Sequence, residues 1–189
     1  MARMTARTTP AGTRVRDMTV GDCEAVTRLR VRGWQAAYAG LVPQSYLDDM
    51  DLTVAEDAAR RRVALTRGSA LVNMVAERPG PGVIGWACYG PCRGNGGPLA
   101  RVELYALYVA PEQIGTGAGR ALMAEVLARA AADGFTGLAL WVLKENAPAR
   151  RFYERAGFCP DGAEEFFEAD GVLVPEVRYV RALGGPAAP

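Results

Sequence analysis

The sequence predicts a mixed α/β layer fold, with helices packed on a central sheet. Three observations carry this. Residues 69–77, 83–89 and 101–109 are short apolar segments separated by Gly- and Pro-rich stretches, the pattern of successive strands. Residues 117–133 place Gly119, Leu122, Met123, Val126, Leu127 and Ala130 on one stripe at helical spacing. The segments follow the order strand, helices, three strands, helix, strand, helix, strand, that of helices layered on a central sheet.

A first strand fits Thr13 to Asp17. Thr19-Val20-Gly21-Asp22 then supplies a Thr-x-x-Asp start signal for a helix whose Val26, Leu29, Gly33 and Ala37 share a face. Gly40 and Pro43 punctuate it, and a mostly charged helical region follows from about Leu52 to Thr66. Pro79-Gly80-Pro81-Gly82 joins two strands as a hairpin loop, and Gly94-Asn95-Gly96-Gly97-Pro98 reads as a mobile connection. Gly137 to Val142 is a strand, Asn146 to Ala156 a short helix, and Leu173 to Ala182 a last strand. Residues 1–12 and 184–189 read as flexible tails around one domain spanning 13–183.

Composition narrows the function. At 189 residues, half of them hydrophobic and 23% charged, the chain is sized for one globular domain. The formal charge is +1, without the basic excess of a general nucleic-acid or membrane-surface binder. Histidine is absent, which excludes a His-based triad, a His-ligated metal site and an imidazole switch. Cys88 and Cys92 echo a metal knuckle only loosely, with no second pair, so no metal is expected and Cys23, Cys88, Cys92 and Cys159 read as thiols. No apolar run approaches the ~18 residues of a membrane span, so a soluble cytoplasmic protein is the expectation.

The most informative stretch runs from Leu107, Tyr108 and Val109 through Ile114-Gly115-Thr116-Gly117-Ala118-Gly119-Arg120. A strand runs into three alternate glycines, and a helix starts among them. Glycines let the backbone approach an anion without Cβ clashes, and a helix start offers unpaired N–H groups and the positive end of its dipole. Successive amides there form an anion nest, so the physics alone points to a phosphate or diphosphate. A P-loop would need a lysine after the last glycine, and none follows. A dinucleotide fingerprint fails too, because its last glycine would fall on Arg120.

Ile114 to Gly119 resembles the Q/R-x-x-G-x-G/A segment of the GNAT superfamily of N-acetyltransferases, with Ile114 where Gln or Arg is usual. Residues 146–158, from Asn146 through Phe152-Tyr153 to Gly157-Phe158, are similar to the family's N-x-x-A-x-x-F-Y-x-x-x-G-F block, in the right order. The resemblance implies the GNAT fold, a central mixed and mostly antiparallel sheet with helices on both faces. It implies acetyl-CoA as co-substrate and transfer of its acetyl group to a primary amine, on a small molecule or a protein N-terminus. A homodimer is common in the family. The resemblance puts the diphosphate on the amides of residues 114–120, the pantetheine arm on Leu107 to Val109, and a further contact at Asn146, which is also a good helix N-cap.

Direct attack on a thioester needs a base for the amine, a donor for the carbonyl oxygen and a proton for the thiolate. Glu103 is the base candidate; strand alternation would place it on the side of Tyr105, Leu107 and Val109. The alternative is a glutamate paired to an arginine such as Arg101 or Arg120. Tyr153 is the candidate acid, or otherwise a core aromatic. Trp34, Tyr38 and Tyr105, with Tyr46, Trp86 and Tyr89, are candidates for the acceptor cleft. Glu164, Glu165, Glu168 and Asp170 form an acidic run that would suit a cationic amine; the simpler reading is core aromatics plus a solvated acidic loop, with Arg60-Arg61-Arg62 a solvated helix face. A non-catalytic acyl-CoA-binding protein and a nucleotide-binding α/β protein are the rival readings.

Overall fold

A computed structural model describes residues 12–94 and 102–184. The expected tails, Arg101 and most of the 94–98 connection lie outside these residues. Strand β1 (Arg14–Asp17) leads through a 3-10 turn into α1 (Cys23–Ala37), α2 (Gln44–Asp49) and α3 (Val54–Arg67). Strands β2 (Val72–Arg78), β3 (Gly82–Pro91) and β4 (Val102–Val109) follow, then α4 (Ala118–Ala132), β5 (Gly137–Leu143), α5 (Ala147–Arg155), β6 (Cys159–Ala169) and β7 (Val172–Ala182). The Thr19–Asp22 start signal forms as a capping box, with the Asp22 carboxylate accepting from the Thr19 backbone at 2.8 Å.

The seven strands form one sheet in the order β1-β2-β3-β4-β5-β7-β6. Every pairing is antiparallel except β4 with β5. On one face, α4 buries Leu122, Met123 and Val126 against Leu104, Leu138, Leu140 and Tyr179, and α5 adds Phe152 and Tyr153 to the edge of this core. On the other face, α1 packs Val26 and Leu29 against Val75, Trp86 and Cys88. Val31 of α1 joins α2 and the far end of β5 and β7 in a third cluster.

Two elements escape the sequence pattern. Helix α2 is six residues long and buries only Leu47 fully, too short to show a period. The expected acidic loop is strand β6, an edge strand paired with β7 alone. Both its faces are largely wet, and only Ala163, Phe167 and Ala169 lose exposure, so no period-2 alternation marks it.

Two irregularities shape the centre of the sheet. The register between β3 and β4 slips from Cys88↔Ala106 to Tyr89↔Leu104, leaving Tyr105 as an extra residue. Strand β4 then pairs with β5 only at Val102, Glu103 and Leu104, whereas β5 continues to Leu143 alongside β7. The sheet therefore opens between Tyr105–Val109 and Trp141–Leu143.

Candidate active site

The glycine loop sits where β4 ends. A 3-10 turn over Pro111–Gln113 turns the chain, and Gly115 and Gly117 then adopt φ of +83° and +92°, values at which a side chain is strained. Gly117 caps α4, so the helix begins one residue later than the sequence predicted. Ala121 is the first helical residue to donate to a backbone carbonyl, that of Gly117 at 3.0 Å. The amides of Gly115, Gly117, Ala118, Gly119 and Arg120 have no backbone acceptor among the described residues. A Cβ built on Gly115 would meet nothing within 4 Å, and one on Gly117 only the Arg120 guanidinium at 3.9 Å. The cradle is thus open, and Arg120 forms no ion pair among the described residues.

Arg78 fixes this loop from behind. It reaches from β2 and donates to the Thr116 carbonyl at 3.1 Å and the Gln113 side-chain oxygen at 3.2 Å. Gln113 therefore points inward, while Ile114, at the position where Gln or Arg was expected, is 70% exposed. Sequence reasoning gave Arg78 no role, because it lies 35 or more residues from the loop it holds.

The parted strand supplies the next element. The Ala110 amide donates to the Ile84 carbonyl at 2.9 Å. Alternation along this ladder turns the amides of Tyr108 and Ala106 toward β3 and those of Leu107 and Val109 into the gap beside β5. Tyr108, expected among the cofactor contacts, instead sends its ring to the α1 face. There it stacks on Trp86 at 6.2 Å and lies against Gly33, where a Cβ would approach it to 3.1 Å. Asn146 caps α5, accepting from the Ala149 amide at 3.1 Å, as its position predicted.

The bulge corrects the placement of Glu103. Leu107 and Val109 pack on the α4 face, whereas Tyr105 and Tyr108 pack on the α1 face. Glu103 is 2% exposed and bound by Arg93, whose backbone amide donates at 3.1 Å and whose Nε donates at 2.9 Å. The same guanidinium lies 4.9 Å from the Tyr105 ring centre. Glu103 and Tyr105 thus share one face, and Leu107 and Val109 the other. Among the described residues the arginine that binds Glu103 is Arg93 and not Arg120; Arg101 lies outside them.

A second carboxylate stands nearby. Glu176 of β7 sits between Leu143 of β5 and Glu165 of β6. Burial, and then repulsion from Glu165, push its carboxyl up to about 7. It makes no hydrogen bond among the described residues, and its charge reaches Tyr38 and Tyr108. Sequence reasoning missed it; the available signal was a lone acid between Val174 and Val177, in a strand whose other charged residues are Arg178 and Arg181. Tyr153 packs edge-on to Phe152 and Phe158 at 5.4 and 6.1 Å. Its hydroxyl has no partner among the described residues, and burial raises it above the ordinary tyrosine range, so it stays protonated.

The aromatic candidates divide between the two faces. Trp34 meets Tyr38 at 4.6 Å, Tyr46 at 5.7 Å and Phe167 at 5.5 Å, tying α1 and α2 to β6. Trp34, Trp86, Tyr105 and Tyr108 line a cleft of about 300 Å³ between α1, α3 and the sheet. Tyr89 does not join them: it is 1% exposed in the core on the α4 face. Among the described residues no group of His, Cys, Asp and Glu is placed to hold a metal, and no helix is long and apolar enough to cross a membrane.

A strand that parts from its neighbour and an open row of amides at its end together form a groove able to hold an extended anionic ligand. Residues 34–158 match the acetyltransferase (GNAT) family. The chain is 32% identical to the uncharacterized N-acetyltransferase YuaI of Bacillus subtilis, over 91% of this chain and 92% of that one. Its fold resembles PaiA N-acetyltransferase of Thermoplasma acidophilum, solved with coenzyme A, at a TM-score of 0.67 and 19% identity, over 90% and 98% of the two chains. It also resembles a phosphinothricin acetyltransferase of Sinorhizobium meliloti, solved with AcCoA, at a TM-score of 0.68 and 24% identity, over 94% and 92%. The chain belongs to the GNAT acetyltransferase family and is an acyltransferase by class.

Proposed function

We propose that this protein transfers the acetyl group of acetyl-CoA to a small primary amine by direct attack in a ternary complex. The observation that carries this is the row of unpartnered amides at residues 115 and 117–120, open at the end of a strand that has left its neighbour. An anion there gains several backbone donors and the dipole of a 15-residue helix. The residues fit coenzyme A: the amides and Arg120 take the diphosphate, and the gap-facing amides of Leu107 and Val109 take the pantetheine arm. The solved relatives with coenzyme A and AcCoA support this assignment.

Acetyl-CoA supplies an already activated thioester, so no covalent intermediate on the protein is needed. The chain's own residues position the partners and move protons. An amide on β4 donates to the acetyl oxygen as it gains charge. Glu176, half ionised near neutral pH, takes the proton that the attacking amine sheds. Tyr153 donates to the departing sulfur, so one proton leaves nitrogen and one arrives on sulfur. Glu103 is the alternative base; its bonds to Arg93 already engage the carboxylate, which favours Glu176 for the role. The cleft of about 300 Å³ suits a small amine better than a protein N-terminus.

The test is release of free thiol from acetyl-CoA with a panel of amines. Amine-dependent thiol release is the expected result. Tight coenzyme A binding with no turnover on any amine would instead favour a non-catalytic acyl-CoA-binding protein.

A further inference from the structure

The cleft beside β4 has an uneven charge distribution that the chemistry above does not use. Its ionised lining groups are two arginines, Arg30 of α1 and Arg61 of α3, and no carboxylate lines it. Arg61 departs from the solvated face expected of Arg60-Arg61-Arg62: it turns inward, with its guanidinium 4.3 Å from the Trp86 ring centre. It forms no ion pair or hydrogen bond among the described residues, and its Nε is buried without a partner. Arg30 lies over Trp34 at 5.3 Å and reaches Asp57 only at 3.6 Å, while Asp57 also binds Arg60.

Both cations are incompletely paired: Arg61 has only the Trp86 ring, and Arg30 the Trp34 ring with Asp57 at 3.6 Å. An anion in the cleft would complete both. Burial and the neighbouring Arg30 both act against the charge on Arg61, so this site repels cations and would gain from a counter-ion. Tyr105 and Tyr108 of β4 line the same cleft, and the charge of Glu176 reaches Tyr108. The helix side of the cleft therefore carries its positive charge, and its β4 wall leads toward Glu176.

We propose that the acceptor is a zwitterionic amine of the amino-acid type, its carboxylate or equivalent anion held by Arg61 and Arg30, and its amine directed to β4. This rests on the acetyl-transfer reading and narrows its substrate class. The planar guanidinium forks suit a carboxylate, and the rings of Trp86 and Tyr108 line the space left for an apolar side chain.

Two measurements test it. In the first, kcat/KM is compared for phenylalanine against phenethylamine and leucine against isoamylamine, pairs differing by the carboxylate. The intact enzyme should favour the carboxylate member by about 30-fold or more, the scale of a desolvated charge pair. Arg61→Gln should cut that ratio at least tenfold, with Arg61→Lys losing less. Equal rates within each pair, or a ratio that Arg61→Gln leaves unchanged, would overturn the proposal. In the second, tryptophan fluorescence is titrated with N-acetyl-phenylalanine and N-acetyl-leucine, which needs no turnover. A saturable change that weakens in Arg61→Gln and Arg30→Gln supports the anion pocket. No change with either ligand, or one that both variants retain, overturns it. Coenzyme A binding measured on the same samples separates this outcome from failure of the acetyl-transfer reading, which that binding alone addresses.

Discussion

Replacing Glu176 with glutamine should make the protein more stable and less active, each in a defined pH range. The carboxyl is raised from its usual 4.5 to about 7. A carboxyl whose native value exceeds its unfolded value favours folding only while protonated. That contribution is complete below about 4.5 and is lost as pH rises through about 7. Full burial would make the loss about 3.4 kcal/mol, at 1.36 kcal/mol per pH unit. Solvent screening at this half-buried position leaves roughly 2 kcal/mol. Glutamine mimics the protonated acid without titrating. Glu176→Gln should therefore unfold in urea like the parent at pH 4 and be about 2 kcal/mol more stable at pH 8. As the base, ionised Glu176 should make kcat/KM rise about tenfold between pH 6 and 8, and Glu176→Gln should lose roughly 100-fold with no inflection near 7. An inflection that survives the substitution, or a stability gain equal at both pH values, would refute the assignment.

Three further outcomes follow from the geometry. Tyr153→Phe should lower kcat by roughly 10- to 100-fold with little change in coenzyme A affinity, since only the sulfur's donor is lost; unchanged turnover removes Tyr153 as the acid. Gly117→Val forces a β-branched residue to φ of +92° and puts methyls into the cradle; it should fold with about 2 kcal/mol less stability and bind no coenzyme A by calorimetry. Arg78→Met unpins Thr116 and Gln113; KM for acetyl-CoA should rise about tenfold with kcat nearly unchanged, and equal loss in kcat would contradict a role confined to the loop.

What the sequence revealed was what neighbouring residues decide together. The strand, the glycines and the start of α4 are contiguous, so the cradle could be read before any coordinates. Asn146 reads as a cap from its own type and position, and the capping box at Thr19 and Asp22 likewise. The reading failed where geometry arises from distant pairing. The extra residue at Tyr105 is set by the register of β3, and it separates Glu103 from Leu107 and Val109, which simple alternation had put together. Glu176 gains its raised value from burial that only the folded sheet creates, and then from Glu165 on another strand. Arg61 sits in a run of three arginines that looks solvated, and only the packing of α3 over Trp86 turns it inward. Strand β6 has no buried face to leave a pattern.

The claim that the main-chain amides after β4 bind a diphosphate is tested most directly by calorimetric titration of the full chain with coenzyme A and, separately, with pantetheine, which lacks that group. Coenzyme A should bind and pantetheine should bind at least about 100-fold more weakly, as expected when several charge-assisted hydrogen bonds are removed. Equal affinity for the two, or no binding of coenzyme A, would contradict it.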